Sequence, residues 1–272
     1  MNSDSAFTIG NNHLICEDYA ITDSDEDSQY TVVCDGCSSS SMTDVGARLV
    51  AHSALKALRE KDIVNKREID NYLAELAFYL IGLSKDKIFC ELPDTCFDAT
   101  VLAIKSSGKG ANVIAIGDGV IAYKLKGGLS IEIKNIEYPN GYPRYLSYRL
   151  DRYRELEFLN TEPFYRLHEH TLGPHYRGYK CTDMPVEEEY YYLDLSDRDL
   201  EWVAVFSDGV HSFRDGDGGS LYYAEIVRAL TEFKNYTGEF VTRRLNKFKK
   251  MCIKKGWTHY DDVSMAAIFL GD

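Results

Sequence analysis

Five acidic positions in this chain stand at the margins of short apolar runs. Glu17 and Asp18 follow His-Leu-Ile-Cys. Asp35 and Gly36 follow Tyr-Thr-Val-Val-Cys. Asp118 and Gly119 follow Asn-Val-Ile-Ala-Ile-Gly. Asp208 and Gly209 follow Trp-Val-Ala-Val-Phe-Ser, and Asp261 and Asp262 precede Val-Ser-Met-Ala-Ala-Ile-Phe-Leu. The runs are short and rich in β-branched and aromatic residues, so they read as buried strands. A carboxylate at a strand end, followed by glycine, sits where the backbone turns sharply and can come close to a ligand. Taken singly, each Asp-Gly reads as a turn. Carboxylates gathered from several strand ends repel one another unless a cation lies between them. Ligands that are all oxygen point to a hard cation, Mg²⁺ or Mn²⁺, and not to zinc.

The elements that must position these residues follow from periodicity. Residues 30–34 read as a strand. The polar loop 38–43 follows, with Thr43 or a neighbouring serine available to cap a helix. Over 44–60, Val45, Leu49, His52, Leu55 and Leu58 recur near helical spacing, and Asp44 in the first turn suits the helix dipole. A second helix is expected from about 68 to 85. Strands are expected at 98–105 and 111–117 around a Gly-containing hairpin, at 119–125 and 129–136, at 202–207 and at 263–270. Helices are expected at 221–232 and 237–255. Antiparallel neighbours followed by helices, without strict βαβ alternation, point to an α+β sandwich. Residues 138–200 differ: periodicity is weak, tyrosines are many, and an acidic run occupies positions 187–189. They read either as an excursion shaping substrate access or as a passive aromatic-rich surface segment. Within it, His168, Glu169, His170 and His175 read as exposed loop.

With 272 residues, 44% of them hydrophobic, the chain can bury a large core as one domain. A net charge of −12 argues against nucleic acid or an anionic membrane as main partner. No apolar run approaches the ~18–20 residues needed to span a bilayer, and no signal peptide is evident, so a cytoplasmic location is expected. The seven cysteines are odd in number and irregular in spacing, which argues against a disulfide framework. Cys34 and Cys37 form a C-x-x-C, but no second ligand pair at zinc spacing accompanies them.

In order, Glu-Asp, strand-Asp-Gly, Ala-Thr, Gly-Asp-Gly, Ser-Asp-Gly-Val and Asp-Asp-Val-Ser resemble the metal-dependent type 2C serine/threonine protein phosphatases. The resemblance runs from Glu17 to Phe269, and Asp-Gly-Cys-Ser-Ser-Ser-Ser-Met-Thr-Asp-Val-Gly-Ala-Arg is similar to a bacterial branch. It implies a four-layer αββα sandwich: two central antiparallel sheets flanked by helix pairs. It implies a binuclear Mg²⁺/Mn²⁺ centre, with Asp35 shared by both ions and the Gly36 carbonyl as a further ligand. Asp208 and Asp261 would hold the first ion and Glu17 the second. Asp18 would hold water, Asp118 with Asp208 can hold a weaker third ion, and Asp262 would lie just outside. A metal-bound hydroxide would then attack phosphorus, leaving the Cys34, Cys37 and Ser38–Ser41 side chains without a covalent role.

Two positions depart from the family pattern. His13 stands where many members carry a phosphate-gripping arginine; it binds phosphate only when protonated, and singly. Cys37 stands where many carry a histidine acid, and a thiol is a poor acid near neutral pH. Arg48, Arg144 and Arg149 are candidate substitutes, and Asp98 reads as structural. The expected activity is hydrolysis of phosphoserine and phosphothreonine in proteins. The alternatives are a catalytically weak or silent regulatory module on the same fold, and a phosphatase for a small molecule.

Overall fold

Apolar residues on both faces of most strands dictate a sheet buried from two sides, and the chain builds two such sheets. The computed structural model describes residues 1–85, 92–162, 164–174, 177–186 and 189–271. In chain order its elements are β1 (Asn2–Thr8), β2 (Tyr19–Ser24), β3 (Ser28–Cys34), α1 (Thr43–Glu60), α2 (Lys66–Ser84), β4 (Val101–Ser107), β5 (Gly110–Ile116), β6 (Gly119–Leu125), β7 (Ile131–Glu137), α3 (Arg152–Thr161), β8 (Phe164–Leu172) and β9 (Arg177–Pro185). They continue with β10 (Tyr191–Leu195), β11 (Leu200–Phe206), β12 (Phe213–Arg214), α4 (Tyr223–Thr231), α5 (Phe240–Lys255), β13 (Thr258–His259) and β14 (Val263–Phe269).

One sheet has strand order β1-β14-β11-β6-β7-β8-β9 and the other β10-β5-β4-β3-β2; all pairings are antiparallel. Side chains alternate between the two faces of each strand. Val33, Leu102, Ile104, Val203, Val205, Ala266 and Ile268 point between the sheets. Tyr30, Val32 and Val101 point outward under α1 and α2, while Trp202, Phe206 and Met265 point outward under α4 and α5. The result is the expected αββα sandwich. No helix among the described residues is long and apolar enough to cross a membrane.

Several local expectations need correction. The α1 N-cap is Met42, left-handed at φ 61° and without a side-chain cap. Thr43 does not cap, because its hydroxyl is committed to Glu17. Strand β4 begins at Val101, since Asp94–Phe97 form a 3-10 turn and the Asp98 side chain is engaged elsewhere. Strands β1 and β2, which are half polar, carried too weak an apolar run to be recognised.

The segment 138–200 is woven into the sheets. It carries α3, extends the larger sheet through β8 and β9, and edges the smaller one with β10. Its rings pack inward: Tyr138 lies 6.0 Å from Phe158 and 5.8 Å from Tyr165, within the inter-sheet core. His168, Glu169 and His170 lie on β8, not in an exposed loop, and His170 is buried. The β8 alternation is disguised because a histidine occupies a buried position on the face toward α4. His175, Glu187 and Glu188 lie outside the described residues.

Candidate functional site

Strand pairing alone brings the acidic positions to one end of the sandwich. Strand β3 ends at Cys34, opposite Tyr19 where β2 begins, which sets Asp35 and Gly36 beside Glu17 and Asp18. Strand β11 ends at Phe206, opposite Met265 near the start of β14 and Val120 near the start of β6. Asp208, Asp261 and Asp118 therefore meet from three adjacent strands. The Asp118 turn is flanked by Gly117 at φ 87° and Gly119 at φ 136°, conformations that side chains rarely adopt. Gly209 passes so close to β14 that a Cβ there would lie 1.7 Å from the Asp262 carbonyl oxygen.

The carboxylates are electrostatically strained. Burial raises Asp18 to about 7, despite the hydrogen bond its Oδ2 accepts from Ser207 Oγ at 2.7 Å. Burial, then Asp18 and Asp208, holds Asp35 well above the usual carboxylate range. Burial, then Asp208, does the same to Asp118 and raises Asp261 to about 6. Buried acids that raise one another in this way favour a positive charge between them.

The outer residues are fastened by hydrogen bonds. Glu17 accepts from Ser38 Oγ at 2.7 Å and Thr43 Oγ1 at 2.9 Å. Asp262 is buried and accepts the Gly10 and Glu17 backbone N–H groups at 2.7 and 2.6 Å. Burial opposes its ionisation, but the Gly10 N–H, His13 and the Glu17 N–H outweigh it and lower the Asp262 pKa. His13 Nδ1 lies 3.1 Å from Asp262 Oδ2, and Nε2 3.5 Å from Asp261 Oδ1. Cys37 is partly buried, which raises a thiol, yet hydrogen bonds from Ser39 and Tyr145 leave its pKa lowered.

Among the described residues, no three His, Cys, Asp or Glu side chains are gathered tightly enough to hold a metal ion as they stand. The donor chemistry nevertheless fits a hard cation. The inner set is all carboxylate, and Asp18 Oδ1 is buried without a hydrogen-bond partner.

Two of the candidate arginines are bound in ion pairs. Arg144 is buried and paired with Glu155 at 2.7 Å, and Arg149 pairs with Glu189. Arg48 bonds the Asp44 carbonyl and stacks 5.3 Å from the Tyr19 ring centre. The part that Ser207, Ser38 and Thr43 play in holding the carboxylates has no signal in the sequence beyond their adjacency to the acidic motifs. Asp98 is structural, as expected: buried, and hydrogen-bonded to Ser40, Ser147 and Arg154.

Comparison with known proteins agrees with this architecture. The sequence pattern of the family described as Protein phosphatase 2C matches residues 10–248. None of the curated proteins matches the chain in sequence. A solved bacterial serine phosphatase superposes with TM-score 0.58 at 12% identity, covering 100% of this chain and 98% of that one. The serine/threonine phosphatase Stp1 from Staphylococcus aureus gives 0.57 at 12% identity, covering 100% and 96%. The serine/threonine phosphatase of S. agalactiae gives 0.51 at 14%, covering 99% of each chain. These likenesses concern the fold; the matched sequence pattern, spanning most of the chain, makes this protein a member of the protein phosphatase 2C family.

Proposed function

We propose that this chain hydrolyses phosphoserine and phosphothreonine in cytoplasmic proteins with the help of Mg²⁺ or Mn²⁺. The observation that carries the reading is the convergence of Asp18, Asp35, Asp118, Asp208 and Asp261 at one end of the sandwich, with four of the five pushed upward by burial, and Asp35, Asp118 and Asp261 also by their neighbours in the set. Asp35 would be shared between two ions, assisted by the Gly36 carbonyl. Asp208 and Asp261 would complete one ion's shell, Glu17 the other's, and Asp118 with Asp208 would take a third. When bound, such ions supply an acidified water and neutralise charge on the phosphoryl group.

The chain's own residues do the rest. Ser207 fixes Asp18 so that its second oxygen can orient water. Ser38 and Thr43 hold the Glu17 carboxyl group in place. His13 is a basic group beside the carboxylates. Burial works against its charge, but Asp262, Asp261 and Glu17 raise its pKa, so it can grip a phosphoryl oxygen through Nε2.

A second reading, a weak or silent phosphatase-fold regulator, draws on the His13 and Cys37 departures and on the absence of a tight metal-holding group among the described residues. The test is hydrolysis of p-nitrophenyl phosphate and of a phosphothreonine peptide with Mn²⁺, with Mg²⁺ and with EDTA. Metal-dependent turnover of both supports the enzyme. Absence of turnover under every condition supports the regulator.

A further inference from the structure

A cavity of about 620 Å³ opens beside Asp118 and Asp208. Its remaining walls come from β7 and the residues just after it, β8, β9, His211 and the start of α4, and none of these side chains has a part in the metal chemistry above. The wall is built of rings held in place. His170 is bonded through Nδ1 to Tyr222 Oη at 2.9 Å and through Nε2 to Tyr223 Oη at 2.5 Å. Tyr179 stacks on His170 with ring centres 4.9 Å apart, and His211 lies 4.3 Å from the Tyr223 ring. Burial lowers the pKa of both His170 and His211, so these imidazoles are neutral near pH 7.

The charge in this cavity is of one sign. Glu137 lies on the wall with its side chain 50% exposed and 2.8 Å from His168 Nε2, Asp118 and Asp208 form the inner end, and among the described residues no lysine or arginine lines it. Arg177, on neighbouring β9, is already paired with Glu225 at 2.7 Å. Packing alone would close such a space around its rings. Asp118 and Asp208 are committed to cations in the phosphatase reading, so Glu137 is the acid left to meet a ligand: it would repel an anion, and an apolar ligand would bury it with His168 as its one ionic neighbour among the described residues. Ring faces with the Glu137 carboxylate beside them suit a cation, which gains from both the π quadrupoles and the charge. The net charge of −12 steers cationic peptides the same way.

We propose that this cavity receives a lysine or arginine side chain of the phosphoprotein substrate, near the phosphorylated residue in sequence. The proposal rests on the phosphatase reading, and it makes the β7–β9 and α4 wall a specificity site. Phosphothreonine peptides carrying one arginine at successive positions on either side test it, against a neutral peptide and against p-nitrophenyl phosphate.

At one or two of these positions, arginine should lower KM by about tenfold relative to the neutral peptide. Glu137→Gln and Tyr179→Ala should each erase most of that preference while leaving p-nitrophenyl phosphate turnover unchanged. Tyr179 is exposed, so its truncation spares the core. Equal KM values for all peptides, with p-nitrophenyl phosphate still hydrolysed, would overturn the cavity proposal alone. Should no substrate turn over, the phosphatase reading fails separately. Fluorescence anisotropy of the labelled peptides then decides the cavity: tighter binding of an arginine peptide that Glu137→Gln abolishes supports it, and indifference to arginine overturns it.

Discussion

Arg154, on α3, donates a hydrogen bond from Nη2 to Asp98 Oδ2 at 2.7 Å, joining the 138–200 segment to the loop that follows Asp35. The same Asp98 accepts from Ser40 Oγ at 2.6 Å and Ser147 Oγ at 2.5 Å, and its backbone carbonyl accepts the Cys37 N–H at 2.8 Å. One buried carboxylate thus fixes a site loop from both sides. Arg144 and Tyr145, in the same segment, are buried and would not serve as detachable contacts for a partner surface.

Removing that carboxylate leaves Arg154 and two hydroxyls without their acceptor. Asp98→Ala should destabilise the fold by about 3–5 kcal/mol, the usual cost of deleting one partner of a buried pair. Turnover of p-nitrophenyl phosphate and of a phosphopeptide should fall together, because the Cys37 loop loses its anchor. Chemical denaturation and both assays measure this. Loss confined to the phosphopeptide would show that the segment acts on substrate choice alone.

The inner carboxylates should behave oppositely for stability and activity. Asp35→Asn or Asp208→Asn should lower kcat/KM by at least about a hundredfold with Mn²⁺ present, because each is proposed to hold the ion. Removing one charge from a mutually repelling set should leave the metal-free fold intact or raise its Tm. Thermal melts in EDTA read the second effect. Full activity of Asp208→Asn with Mn²⁺ would remove Asp208 from the centre.

Much of this was legible because strand ends carry their own punctuation. An apolar run followed by Asp-Gly marks both a buried strand and its turn, so Asp35, Asp118 and Asp208 were found with the sheets that carry them. What stayed hidden had no periodic signature. Strands β1 and β2 are half polar, and β8 places His170 where an apolar residue would announce the face. The engagement of Arg144 and Arg149 by acidic partners distant in sequence could not be read from local spacing. Thr43 looked like a cap because its type fits one; tertiary contact with Glu17 claimed its hydroxyl instead.

Without metal, stability should depend on pH with a definite sign. Asp18 at about 7, Asp261 at about 6, and Asp35 and Asp118 held well above the usual carboxylate range keep protons in the folded state that the unfolded chain has lost. Their contribution is full below the ordinary carboxylate pKa and is lost as pH rises through the raised values. The Tm in EDTA should therefore fall from about pH 5 to about pH 8. Added Mn²⁺ should restore it, most strongly at the alkaline end, where the carboxylates are ionised and ready to bind. A Tm in EDTA that rises over that interval would mean the acids are not held protonated by one another.

His13 carries the last prediction. Burial disfavours its charge, but Asp262, Asp261 and Glu17 together raise its pKa above the usual value. It is therefore charged at mildly acidic pH, and that charge is lost as pH rises through the raised value. If its Nε2–H grips phosphate, His13→Gln should raise KM for a phosphothreonine peptide, with a larger effect near pH 6 than near pH 8. His13→Arg should do the reverse. A guanidinium stays charged throughout and can bond two oxygens, so KM should drop most toward the alkaline end, where a histidine has lost its proton. The pair of profiles separates a phosphate grip from a purely structural link to Asp262, since a lost link would lower kcat or Tm without a pH-dependent change in KM. An unchanged KM in His13→Arg over the whole range would place phosphate binding on another group.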